Sequence, residues 1–179
     1  MVDVVAAACA VCLVVVFAAA AVGKVRTAAA FSGFCRSLKA MGLVPDGWVR
    51  VCGAAVVISE VSVVLLLLAT PLGDWAGSAG FVLAACLLAV FTIGLARALT
   101  GRRQAVCRCF GASEYPLGAR HIVRNIVLWM IALCGVAAHS AAGHLRPAEA
   151  LLAACSGVLV GALAVVSDDL VQLFRPIRR

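Results

Sequence analysis

Apolar residues occur in long blocks with short polar breaks, and the charges delimit five such blocks. Residues 4–23 lie uncharged between Asp3 and Lys24. At about 1.5 Å per residue, roughly twenty helical residues reach the ~30 Å of a bilayer core. A second block, 51–73, is interrupted only by Glu60, and a third, 75–96, lies between Asp74 and Arg97. The fourth runs over 125–145 and the fifth, the shortest, over 150–167 between Glu149 and Asp168. Each block predicts a transmembrane helix. No basic residue precedes the first, and Asp3 stands where a signal peptide carries positive charge, so that block reads as a retained helix. The short turn Pro71 to Asp74 makes the second and third helices an antiparallel hairpin.

Two finer patterns add to this. Phe31, Phe34, Cys35 and Leu38 recur at i, i+3, i+4 and i+7 while Arg36 and Lys39 fall off the stripe, which predicts a short interfacial helix over about 28–42. Pro45, Asp46 and Gly47 then turn the chain into the second span. In the fifth block Gly157 and Gly161 form a small-residue face that admits a neighbouring helix, of this chain or of another. The expected fold is an all-α integral membrane protein: a four-helix transmembrane bundle with a fifth C-terminal helix, as one membrane domain over 1–179.

Composition agrees with this reading. At 65% hydrophobic and 13% charged residues with mean hydropathy +1.13, too little polar material exists to coat a soluble globule. The net charge of +7 is distributed by segment. Lys24, Arg26, Arg36, Lys39 and Arg50 follow the first span, Arg97, Arg102, Arg103, Arg108, Arg120 and Arg124 follow the third, and Arg175, Arg178 and Arg179 form the tail. Only Arg146 lies on the other side. The positive-inside rule then places the N-terminus outside and both long loops and the C-terminus in the cytoplasm of a multi-pass cell-membrane protein. The basic residues are split among three segments without an interleaved aromatic platform, so nucleic acid is not an expected partner; the lipid bilayer is.

Nine cysteines are present. Cys35, Cys52, Cys86, Cys134 and Cys155 read as small apolar packing residues. Cys9 and Cys12 spell CxxC, but deep within a helix such residues hold their β carbons about 5–6 Å apart, too far for a relaxed bridge. Cys107 and Cys109 differ, because they lie in the longest polar loop with Arg108 between them and Arg102 and Arg103 upstream. Neighbouring positive charge favours thiolate, and a Cys-x-Cys bridge is strained and readily exchanged. Thiol–disulfide exchange is the leading reading. The alternative is capture of a soft ion such as Cu(I) or Hg(II) by the same pair. Structural zinc lacks ligands beyond His121.

Glu60 falls near mid-bilayer, where a carboxylate faces a partner or a watery cavity. Lys24 has a stem long enough to bend inward, and Ser59 and Ser62 are nearby donors. Helix packing and proton carriage explain Glu60 equally well. His139 and His144, five apart, fall on different helix faces and form no metal pair. No nucleophile elbow, phosphate loop or dinucleotide fingerprint is present, so hydrolase or ATPase chemistry has no residues to stand on. No cofactor is expected, and a quinone stays open without a residue that supports it.

A helix ending Val22-Gly-Lys-Val, a basic loop with a Phe-rich amphipathic segment, an acid within the second span, and Cys107-Arg-Cys-Phe-Gly111 ahead of Arg124-Asn125 together resemble the MauE family. That family comprises small redox-associated membrane proteins related to DoxX and named for methylamine utilisation. The resemblance covers about residues 4–140, and its most specific element is the CxCFG segment. It implies a four-helix membrane bundle supporting the processing, export or disulfide maturation of a client, in the named case the methylamine dehydrogenase small subunit. The thiol–disulfide reading of this chain adds a thioredoxin-like partner. The matching positions are Lys24, Glu60, Cys107, Cys109, Phe110, Gly111 and Asn125. Arg108 stands where Gly is expected, and the fifth helix extends beyond the family core.

Cys107, Cys109 and Glu60 are thus the expected catalytic residues of a thiol–disulfide accessory protein, with Lys24, Arg108, Phe110, Gly111 and Asn125 supporting them. A non-catalytic chaperone holding its client by the GxxxG face or the interfacial helix is the further alternative. Maturation of an exported client belongs outside the cytoplasm, whereas charge counting puts the CxC pair inside. Two resolutions stay open: a relay with Cys9, Cys12 and Cys155 as its far station, or a loop that dips into the membrane.

Overall fold

The computed structural model describes residues 1–42, 44–101, 119–140 and 146–173, from 168 onward by backbone alone. The described residues are helical throughout: α1 (Val2–Val25), α2 (Ala28–Met41), α3 (Val49–Leu68), α4 (Asp74–Thr100), α5 (Ala119–His139) and α6 (Pro147–Leu173), with single 3₁₀ turns at Asp46–Trp48 and Thr70–Leu72. Five stretches are long and apolar enough to cross a membrane: α1, Asp46–Leu68, α4, α5 and Pro147–Ser167. Large apolar side chains such as Ile58, Leu65, Val90 and Leu159 face outward. In an integral membrane bundle that outer face meets lipid, so their exposure carries no hydrophobic cost.

Local chemistry sets the helix ends. The Thr27 hydroxyl accepts the Ala30 N–H at 3.0 Å to start α2, and Gly42, at φ 64°, closes it in the left-handed conformation that glycine adopts without strain. The Arg146 N–H donates to the Glu149 carboxylate at 3.1 Å, half of a capping box, with Pro147 opening α6. Pro71 lies in the turn joining α3 to α4 as an antiparallel pair.

Helix α1 is the centre of the bundle and packs against α3, α5 and α6. Leu13, Val16 and Phe17 of α1 meet Val63 and Leu67 of α3, Phe81 and Leu88 of α4, and Leu128 of α5 in one buried cluster. The GxxxG face has its partner within the chain. A β carbon at Gly157 would stand 2.6 Å from the Ala8 carbonyl oxygen, and one at Gly161 would stand 2.9 Å from Val15 Cβ. The backbones of α6 and α1 therefore touch where only hydrogen fits.

The fourth span differs from expectation. It begins at Ala119 rather than 125 and ends at His139 rather than 145, which shortens the preceding loop from the expected 97–124. Counting from the last charge misplaces it because His121, Arg124 and Asn125 share one helix face and turn inward, at 3%, 9% and 5% exposure. At the far end of α5, His139 Nε2 donates to the Asp74 carbonyl at 3.0 Å and its ring tilts on Phe81, tying α5 to the start of α4.

Leucine at Gly157 should wedge α6 off α1 and cost about 1–3 kcal/mol by overpacking. The purified variant is expected to melt at a lower temperature in detergent. Gly47→Ala, where a β carbon meets nothing within 4 Å, should melt like the parent.

Candidate functional site

The most unusual feature of this apolar bundle is a pair of charges inside it. Lys24 lies in the last turn of α1, and helical side chains lean toward the N-terminus, so its stem runs back into the bundle. Its Nζ donates to Glu60 Oε1 on α3 at 2.7 Å and to the Ala20 carbonyl at 3.3 Å. It also lies 5.2 Å from the centre of the Phe34 ring, which brings α2 over the pair through a cation–π contact. Lys24 and Glu60 are 2% and 1% exposed. An isolated charge at that depth is very costly, so the two groups require each other.

Next to the pair is a cavity of about 30 Å³, room for about one water. Phe17, Lys24, Glu60 and Phe91 border it together with Arg124 and Asn125 from α5. His121, one turn before Asn125, is buried on the same face. A cation in the first turns of a helix opposes its dipole, so α5 bears a cost to place Arg124 there. The resulting end of the bundle gathers basic groups and helix N–H dipoles around one carboxylate. Such a setting stabilises a second anion.

Of the expected residues, the fold brings Lys24, Glu60 and Asn125 together. Cys107, Arg108, Cys109, Phe110 and Gly111 lie outside the described residues. Their segment is tethered between the end of α4 and the start of α5, both at the Lys24 end of the bundle. Ser59 and Ser62 do not serve Glu60: their hydroxyls donate to the Ala55 and Ile58 carbonyls of their own helix at 2.8 and 2.9 Å. Sequence reading counted Arg124 as a topology charge and as part of the family pattern, and His121 as a loop histidine, and gave neither a place in the site. Their spacing with Asn125 on one helix face was the available signal. Phe34 was read as part of the α2 stripe without its contact to Lys24, and Phe91 was hidden among many other apolar residues.

The family profile described as "Methylamine utilisation protein MauE" matches residues 2–138. The chain belongs to the MauE family. The MauE match spans α1 to α5 and ends before α6, so the helix docked on α1 lies beyond it. The chain is similar to the methylamine utilization protein MauE of Paracoccus denitrificans, 34% identical over 153 residues that cover 83% of this chain and 78% of the relative. No solved structure matches this MauE-family chain.

The other cysteines divide by position. Cys9 interacts through its thiol with Cys134 of α5 and has Cys12 beside it on α1, whereas Cys155 faces outward. A far relay station of Cys9, Cys12 and Cys155 would therefore need Cys134 in place of Cys155. In α2, burial pushes the Cys35 thiol up from its ordinary value, with the Arg50 guanidinium pulling the other way, which keeps it a protonated packing residue. No group of three or more His, Cys, Asp or Glu side chains suited to a metal ion occurs among the described residues.

Removing one partner of the buried pair should cost about 3–5 kcal/mol, because the other charge is left uncompensated. Lys24→Met and Glu60→Leu are each expected to lower the melting temperature and membrane yield sharply. The double variant should recover much of the loss, giving a large coupling in a double-mutant cycle.

Proposed function

We propose that this protein is a membrane accessory of methylamine utilisation that carries out thiol–disulfide exchange for the maturation of a client. In this reading Cys107 and Cys109 are the exchanging pair, and a thioredoxin-like protein is their redox partner. The observation that supports it most is the buried end of the bundle built from Lys24, Glu60, Arg124 and Asn125, to which both ends of the CxC segment are tied. Basic groups and the N-terminal dipole of α5 favour thiolate there, and the thiolate is the species that attacks a disulfide.

Within this mechanism the Lys24–Glu60 pair has two tasks. It holds α1, α2 and α3 in register around the cavity, and Glu60 takes or returns the proton that a thiol releases on becoming thiolate, through a water in the adjoining space. Exchange itself conserves atoms and electrons. One thiolate attacks a sulfur of the partner's disulfide, a mixed disulfide forms, and the second thiolate resolves it, leaving Cys107–Cys109 bridged and two thiols on the partner. The reverse sequence reduces the pair. The positive-inside asymmetry supports a cytoplasmic position for this end, with the N-terminus outside.

The chaperone alternative loses its GxxxG surface, since Gly157 and Gly161 are already seated on α1.

A Cys107→Ser/Cys109→Ser variant should insert at parental levels yet leave the client incorrectly bridged on non-reducing gels; correct bridging would reject the role. In intact cells, the pair should label with a membrane-permeant maleimide only after mild reduction, and labelling by an impermeant reagent would reverse the orientation. Glu60→Gln removes the proton site together with the charge that compensates Lys24, so it should lower stability as Glu60→Leu does. In the folded fraction, exchange should also be slower with a flatter pH dependence, which a purely structural role would not produce.

A further inference from the structure

A second cavity lies on the outer side of the Lys24–Glu60 site, between α2, α3 and α4. Its volume is about 290 Å³, and its walls include Phe34 and Met41 of α2, Cys52 and Val56 of α3, and Phe91 and Gly94 of α4. Those walls offer almost nothing that hydrogen-bonds, so a polar molecule entering them would lose its bonds to water without replacement. Val90, on its rim, is 66% exposed, so the cavity opens on the lipid-facing surface of the bundle rather than into its core. Hydrocarbon is the solvent at that surface.

Basic residues lie on two of the helices that form this cavity. Val90, Gly94 and Arg97 follow one another at i, i+4 and i+7 on α4, so Arg97 falls on the cavity-bearing face of the helix, about one turn beyond Gly94. Arg97 is exposed and has no carboxylate partner among the described residues. Arg50 adds a second positive charge near Cys35 at the seam of α2 and α3. An apolar slot opening to the bilayer, with an exposed guanidinium on the same face of α4, matches one ligand class in both halves: an acyl chain joined to a phosphate.

We infer that this cavity is a binding site for an anionic phospholipid, with one acyl chain between α2, α3 and α4 and the phosphate on Arg97. The planar guanidinium suits phosphate oxygens in a two-pronged contact. Phe34 and Phe91 are shared walls: Phe34 carries Lys24 on its ring, and Phe91 also borders the small polar cavity. A bound chain therefore buttresses the buried pair from outside. The inference stands apart from the thiol reading, since no cysteine chemistry enters it.

The test uses the purified full chain in neutral detergent, titrated with dioleoyl phosphatidylglycerol or dioleoyl phosphatidylcholine and followed by native mass spectrometry and melting temperature. The parent should bind phosphatidylglycerol about fivefold more tightly, the amount expected from one basic residue near an anionic headgroup. Arg97→Gln, a surface change, should bring the two lipids to parity while leaving phosphatidylcholine binding as it was. Gly94→Leu, which fills the slot, should weaken both. Equal binding of the two lipids by the parent, persistence of the preference in Arg97→Gln, or displacement of bound phosphatidylglycerol by an isoprenoid quinone at equal concentration would overturn the assignment.

Discussion

A carboxylate and an ammonium in a medium that solvates neither leave the bundle few arrangements. Glu60 must meet Lys24, so the last turn of α1 must lie against the middle of α3, and the 2.7 Å contact sets both their relative height and their rotation. The consequences spread outward from that contact. Phe34 covers the ammonium, which draws the interfacial α2 back onto the bundle, and Arg124 and Asn125 bring the start of α5 to the same place. Removing the pair for a hydrophobic replacement would relax all of these constraints together.

Packing in the opposite half follows different physics. Lipid tails are as apolar as leucine, so helices gain little from burying such side chains against each other and associate where backbones approach closely. Glycines at 157 and 161 allow this for α6 on α1, and Gly135 makes room for the Phe81 ring between α5 and α4. Helix α1 is consequently enclosed by α3, α5 and α6, with α4 closing the bundle through α3 and α5. Its outward-facing surface is small, and its charged end is held from three sides. The helix beyond the MauE match thus covers the central helix of the fold.

In the proposed function these two halves serve one arrangement. The rigid small-residue half holds α1 in place, and the polar half presents a basic, dipole-favoured end from which the CxC segment departs and to which it returns. Reactive cysteines are generally made so by surroundings of this kind, while thiols in apolar surroundings stay inert. Cys35, protonated by burial, illustrates the second condition in the same molecule.

The sequence by itself determined the five spans, the interfacial helix, the basic asymmetry and the Cys-x-Cys segment. Each of these is local: a bilayer's thickness is matched by a run of residues, and an amphipathic stripe by its spacing. Tertiary structure decided what depends on helix rotation and approach. Lys24 and Glu60 are 36 residues apart, and nothing in either segment names the other as its partner. Whether Arg124 and His121 belonged to a wet loop or a buried helix face depended on what α1, α3 and α4 left open beside them. The GxxxG face likewise declared a close contact without saying with which helix, because a small residue specifies only a distance of approach and the geometry of the assembled bundle supplies the neighbour.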